Sequence, residues 1–410
     1  MRWETTLGRA LVAVWLLGLA QLVQASPGNG IRLGGSEGRL HPYLELETRY
    51  DSNIAYDEAK NRSSGFLFHV RPGLTLDSPG DPAAVTLDAS LDWAQYLDGN
   101  SDLSRLYGQS QLGVGINRKG TVGLELTDSF RRSSSTNFLN LGGAIIDNSN
   151  QLEVAVPWRP GGGAFVTTVS GGWDLESFSA FKSGALCQQN IPQCDQSQLA
   201  KLGYSDAKGG LELRWRFLPR TAAVLSGEYW KRLPSSSTLS SKPWGWRFWG
   251  GAAGLVTSHL AGTLKGGYGA VDDNPGSISS WLANAEGEWI PLETASLKAG
   301  YLHDVGADPG TDGGYTSHRG YLDGRVLLAS LYTAQLDASY EHRTYPKAGG
   351  FTADLFSIEP SADMELARWL RVGAGVAYTR RTSQLPSGAP HLPGFNFDKT
   401  EAYVRVRGTY

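Results

Sequence analysis

Charged residues in this 410-residue chain recur at every second position, and that spacing sets the chemistry open to it. In "TAQLDASYEHR" (333–343), Asp337, Glu341 and Arg343 share one parity, while Ala334, Leu336, Ala338 and Tyr340 hold the other. "AKGGLELRWRF" sets Glu212, Arg214 and Arg216 against Leu211, Leu213, Trp215 and Phe217. Collecting the polar parity gives Glu45, Glu47, Arg71, Asp88, Asp92, Glu286, Glu288, Asp323, Arg325, Glu359, Arg371, Arg405 and Arg407 besides those named, with Arg49, Glu125, Glu228 and Asp363. Carboxylates and guanidiniums sharing one face can pair across neighbouring strands. They can also line a pore whose charge and width choose what passes.

Catalytic chemistry finds little support. The histidines (41, 69, 259, 303, 318, 342 and 391) are scattered. The two Ser-His pairs, at 258–259 and 317–318, are adjacent in sequence and would point to opposite faces of a strand. A non-enzyme without a cofactor is expected. Asp304, Asp308 and Asp312, with Asp272 and Asp273 elsewhere, do not follow an EF-hand spacing, and no metal site is assigned. The two cysteines, Cys187 and Cys194, stand in "CQQNIPQC" and read as a local disulfide in an oxidising compartment, two free thiols being the alternative.

The elements that would hold these residues are strands. A helix would spread the apolar residues of each segment around its circumference, so the period is two, not 3.6. Breaks alternate in length: short turns near 77–82, 117–121, 159–163, 218–221, 290–294 and 367–369, and long polar loops near 133–148, 179–205, 233–245, 306–315, 346–352 and 383–396. Short turns at one end and long loops at the other are the pattern of an up-and-down transmembrane barrel. The segmentation gives an all-β, antiparallel barrel of about 18 strands, 16 being the other even count the boundaries allow. A secreted sandwich or propeller would also alternate. However, its strands run to ~5–6 residues, shorter than the ten or more here. Trp93, Trp158, Trp215, Trp289 and Trp369 near strand ends match interfacial girdles.

At the ends of the chain, "MRWETTLGRALVAVWLLGLAQLVQA" reads as a signal peptide over 1–25, a retained anchor being the alternative. A short periplasmic segment over 26–39 and the barrel over 40–410 follow, in a Gram-negative outer membrane. The net charge of −3 implies no nucleic-acid partner. The final strand, "TEAYVRVRGTY", places Ala402, Val404, Val406, Gly408 and Tyr410 on one face and Glu401, Tyr403, Arg405 and Arg407 on the other. It is expected to meet lipid with the first set and to pair with the first strand. Val404, Val406, Gly408 and Tyr410 resemble the C-terminal assembly signal of outer-membrane barrels, which implies the β-barrel assembly machinery as a partner.

The stretch opening "HPYLELETRYDSNI", with "YDSNI" before the first loop and "VRPGLTL" running into the first turn, resembles the β-barrel porin type 2 family. It is also similar to the 18-stranded outer-membrane barrels of Wzx/Wzy-dependent exopolysaccharide pathways. That resemblance implies translocation of an exopolysaccharide or capsule-type polymer, with a periplasmic co-polymerase or export protein as partner. Trp230, Trp173 and Tyr96 would then offer faces to sugar rings. The alternative is a general or solute-selective diffusion porin, its constriction formed by an inward-folded loop at 179–205.

Overall fold

The computed structural model describes residues 28–33, 37–57, 59, 62–97, 103–135, 145–181, 196–235, 242–273, 276–308, 314–346, 350–384 and 396–410. The proposed signal peptide, Cys187 and Cys194 lie outside these residues. A two-residue strand, β1 (Ile31–Arg32), turns back to pair with the start of β2 (Arg39–Asp51). From β2, eighteen antiparallel strands follow in chain order to β19 (Phe397–Thr409), each paired to the next, and β19 pairs with β2. The cylinder is therefore closed, and no barrel strand offers an unpaired edge. Most barrel strands run 12–17 residues, enough to cross a bilayer at a tilt.

Closure depends on the last strand. Val406 sits opposite Leu46 and Arg407 opposite Glu45, and the ladder ends where the Tyr410 amide donates to the Pro42 carbonyl at 2.9 Å. One parity of β2 and β19 looks outward, with Leu44, Leu46, Val404 and Val406 exposed. The other holds Tyr43, Glu45, Glu47, Asp51 and Tyr403, all buried. The same division recurs around the barrel: Leu211, Trp215 and Phe217 are exposed on β9 (Tyr204–Leu218), and Leu264 and Tyr268 on β12 (Leu260–Asp273). Water would not tolerate so continuous an apolar exterior on a monomeric soluble protein. An apolar outside, a charged inside and no edge make this a transmembrane β-barrel of the outer-membrane type.

Trp158, Trp215, Trp289 and Trp369 stand exposed toward the short-turn end, and Trp93, Trp281, Tyr301 and Tyr340 toward the long-loop end, bracketing the belt. Both described chain ends lie at the short-turn end, since an even number of crossings returns the chain to where it began.

Candidate functional site

The densest functional chemistry lies on the inner wall where the barrel closes. β2 presents Glu45, Glu47, Arg49 and Asp51 inward, β3 (Gly65–Ser78) presents His69 and Arg71, and β19 presents Lys399, Glu401, Arg405 and Arg407. Register sets opposite signs side by side: Arg407 faces Glu45, which faces Arg71, and Arg405 faces Glu47. Opposite charges directly across a strand pair are the favourable arrangement.

The side chains then bond into one network. Arg71 donates from Nη1 to Glu45 and to Glu47, each at 2.8 Å, and from Nε to Asp92 at 2.9 Å. Arg49 bridges Glu47 at 2.7 Å and Glu401 at 3.0 Å, and Lys399 reaches Asp51 at 2.8 Å. His69 Nδ1 lies 2.9 Å from Asp92 on β4 (Ala83–Tyr96), while its buried Nε2 has no hydrogen-bond partner among the described residues. Charge-assisted bonds of this kind are short and strong, and as a connected set they stiffen the wall. A cavity of about 540 Å³ opens in front of it, also lined by Tyr43, Tyr56, Tyr96 and Tyr107.

Other predicted residues pair more locally. Arg405 reaches Asp363 at 2.8 Å, and the Tyr403 hydroxyl donates to Glu359 at 2.8 Å. Arg343 meets Glu341 at 2.6 Å, Arg214 meets Glu212 at 3.1 Å, and Lys298 meets Glu286 at 3.0 Å. Arg371 lies 3.8 Å from Glu365, Arg247 bridges Glu228 and Asp304, and Arg159 approaches Glu125 at 3.5 Å. Asp323 and Asp337 are register partners across β15 (Tyr315–Leu328) and β16 (Tyr332–Tyr345), lining a cavity of about 370 Å³. Arg216, Arg325, Arg407, Glu288 and Asp88 make no ion pair among the described residues, and Arg407 stacks over the Tyr43 ring at 3.7 Å.

Of the three aromatics expected to offer sugar platforms, Tyr96 borders a lumen cavity but is only 5% exposed. Trp230 is buried with Val271, Leu282 and Val305, Tyr96 is buried with Ile54, Leu67 and Leu103, and Trp173 is exposed on the outer face. Parity alone could not separate an open ring from one covered by a returning loop.

At the long-loop end, chain that leaves the strands folds back onto inward-facing residues. Ile54 and Ala55 after β2, Leu103 before β5 (Arg105–Ile116) and Phe181 after β8 (Phe165–Ala180) pack with Leu67 and Tyr96. Leu199, in the short helix Gln196–Lys201, packs on Ile145, Phe178 and Tyr204. Arg105 donates to the Phe181 carbonyl at 2.6 Å. Arg232 holds Asp206 through two bonds of 2.9 Å while donating to the Ala307 carbonyl at 3.2 Å. Described parts of 179–205 thus turn inward, as do segments the sequence did not single out.

Asp308, beyond the end of β14 (Ala295–Gly306), ties one such segment down by accepting from the Tyr345 hydroxyl and lying 3.6 Å from Arg343. Burial raises its carboxyl pKa above the usual aspartate range, outweighing the pull of Arg343. The folded state therefore binds more protons than the unfolded one, so the anchorage is firmest at low pH and weakens as pH rises through the raised value. Protease cleavage within 307–314 is expected to increase with pH in the wild type. In Asp308→Asn it should be flat; an equal slope in both would reject this assignment.

No known family model matches the chain, and no curated protein matches it. Among solved structures, the outer membrane protein OpdK of Pseudomonas aeruginosa is similar at 14% identity, covering 90% of this chain and 99% of that one, with a TM-score of 0.45. OpdQ of the same organism stands at 11% identity, 91% and 98% coverage and a TM-score of 0.45. OccAB4 of Acinetobacter baumannii stands at 12%, 94% and 100%, and 0.43. At these scores none of them says what passes through this barrel.

Proposed function

We propose that this protein is a solute-selective diffusion channel, and that its selectivity begins at a mouth narrowed from within. The observation that carries this reading is the packing of Ile54, Leu103 and Phe181 against inward-facing Leu67 and Tyr96. A cluster that is 1–5% exposed is close-packed, so it narrows the passage and resists being pushed aside. Small solutes pass such a mouth, whereas a bulky polymer would have to displace it. The polysaccharide-translocon reading rests on the resemblance at the first strand pair, and of the aromatic platforms it implies, Trp230 is buried and Trp173 faces outward.

Assembly through a β-barrel assembly machinery and contact with outer-membrane lipid belong to the same proposal. A periplasmic export partner and a polysaccharide cargo belong to the competing reading. Single-channel recording in planar bilayers separates the two. Purified wild type is expected to give small, steady conductance, and a Leu103→Ala/Phe181→Ala variant a larger one. Equal conductance in both would remove the mouth as the constriction. A silent barrel, together with loss of surface polymer in a strain lacking the gene, would restore the polymer reading.

A further inference from the structure

The lumen walls differ in how much hydrogen-bonding capacity their side chains have left. On the closing wall the charges are committed to one another: Arg71 serves three carboxylates and Arg49 two. On the wall built by β4 to β7, with β6 at Leu124–Ser135 and β7 at Ile145–Trp158, the inward positions between Asp92 and Asp147 on one side and Glu125 and Glu153 on the other are mainly amides and hydroxyls. Asp88, Gln111, Ser129 and Gln151 face one another in register across the four strands, forming a continuous rung. The neighbouring rung runs Ser90, Gln109, Arg131, Ser149. Apart from Ser90, the two rungs line a cavity of about 420 Å³.

Gln109, Gln111 and Gln151 are exposed to this cavity, and none of their side-chain amides has a hydrogen-bond partner among the described residues. Each primary amide offers two donors and a two-lone-pair acceptor. Resting on the channel reading above, we infer that this neutral wall, not the charged one, is the binding track. Its ligand is an uncharged, hydroxyl-rich small solute, a polyol or a sugar.

The charge count around the cavity supports a neutral ligand: one carboxylate, Asp88, and one guanidinium, Arg131. Arg131 also lies 3.8 Å from Asp147, so its charge is partly answered already. An anion held here would lack the uncompensated cations it needs, and a cation would find a single carboxylate, Asp88, with Arg131 on the neighbouring rung. Hydroxyl groups both donate and accept, as do amides, so a polyol can satisfy a rung in either orientation. No buried charge has to be desolvated for it to move on.

The test uses the full-length protein in planar bilayers, with ion current as the readout and sugar as a blocker. Glucose is compared with glucuronate, a probe of like size that carries a carboxylate. Wild type is expected to show concentration-dependent block by glucose at least as strong as by glucuronate. In Gln109→Leu/Gln111→Leu/Gln151→Leu, ion conductance should persist while the apparent glucose affinity falls by about tenfold, the loss of one to two net hydrogen bonds. Block by glucuronate alone, or unchanged glucose block in the triple variant, would overturn the inference and leave the channel standing. Absence of ion conductance in wild type would remove the channel itself. Should the triple variant not fold, the wild-type comparison of the two probes still decides.

Discussion

Replacing Arg71 by methionine is expected to destabilise the barrel more than any other single change on its inner wall, by about 3–5 kcal/mol. The guanidinium is hydrogen-bonded to Glu45, Glu47 and Asp92 at once, and Glu47 is only 2% exposed. Removing it leaves three carboxylates together, with Arg49 still paired to Glu47 and His69 Nδ1 still beside Asp92. Burying uncompensated charge costs far more than the pair contributes, so the loss reflects stranded acids, not a lost bond. Urea unfolding in detergent micelles measures it. Adding Glu47→Gln to Arg71→Met should recover part of the loss, because it removes one stranded charge. Strict additivity of the two changes would show that the side chains act independently and that the network is a drawing convention.

The alternation of β2, β9 and β19 was legible because each strand needs only one bit per residue, inward or outward, and lipid outside makes that bit strongly apolar. Strand count followed from the breaks, and the cation–anion face followed from parity. Three things were not legible. Whether an inward residue is open or covered depends on where the long loops return, and nothing in the spacing of Trp230 or Tyr96 encodes that. The neutral wall was missed because Gln109, Gln111 and Gln151 carry no charge to collect, although they share the polar parity. Lys399 and Asp51 sat on the right parity too, but their pairing across the closing seam requires knowing that β19 meets β2.

The closing seam also makes the second large prediction. Val404 is 56% exposed on the outer face and sits opposite Thr48 in the β19–β2 register. It lies well inside β19, with crossing residues on either side. An arginine there has to reach an interface through lipid, at a cost of about 2–4 kcal/mol if it lies near the midplane. Arg405, the next residue along, carries the same group at no such cost because it points inward to Asp363. Val404→Arg is therefore expected to lower the yield of folded, heat-modifiable barrel sharply. Val406→Asp, nearer the strand end and acidic, should cost less. Truncating Tyr410 removes the last amide of the seam, which donates to the Pro42 carbonyl, and should weaken closure without introducing charge into lipid. Wild-type amounts of folded Val404→Arg would mean that this face does not meet hydrocarbon, and the inward assignment of Arg405 and Arg407 would fall with it.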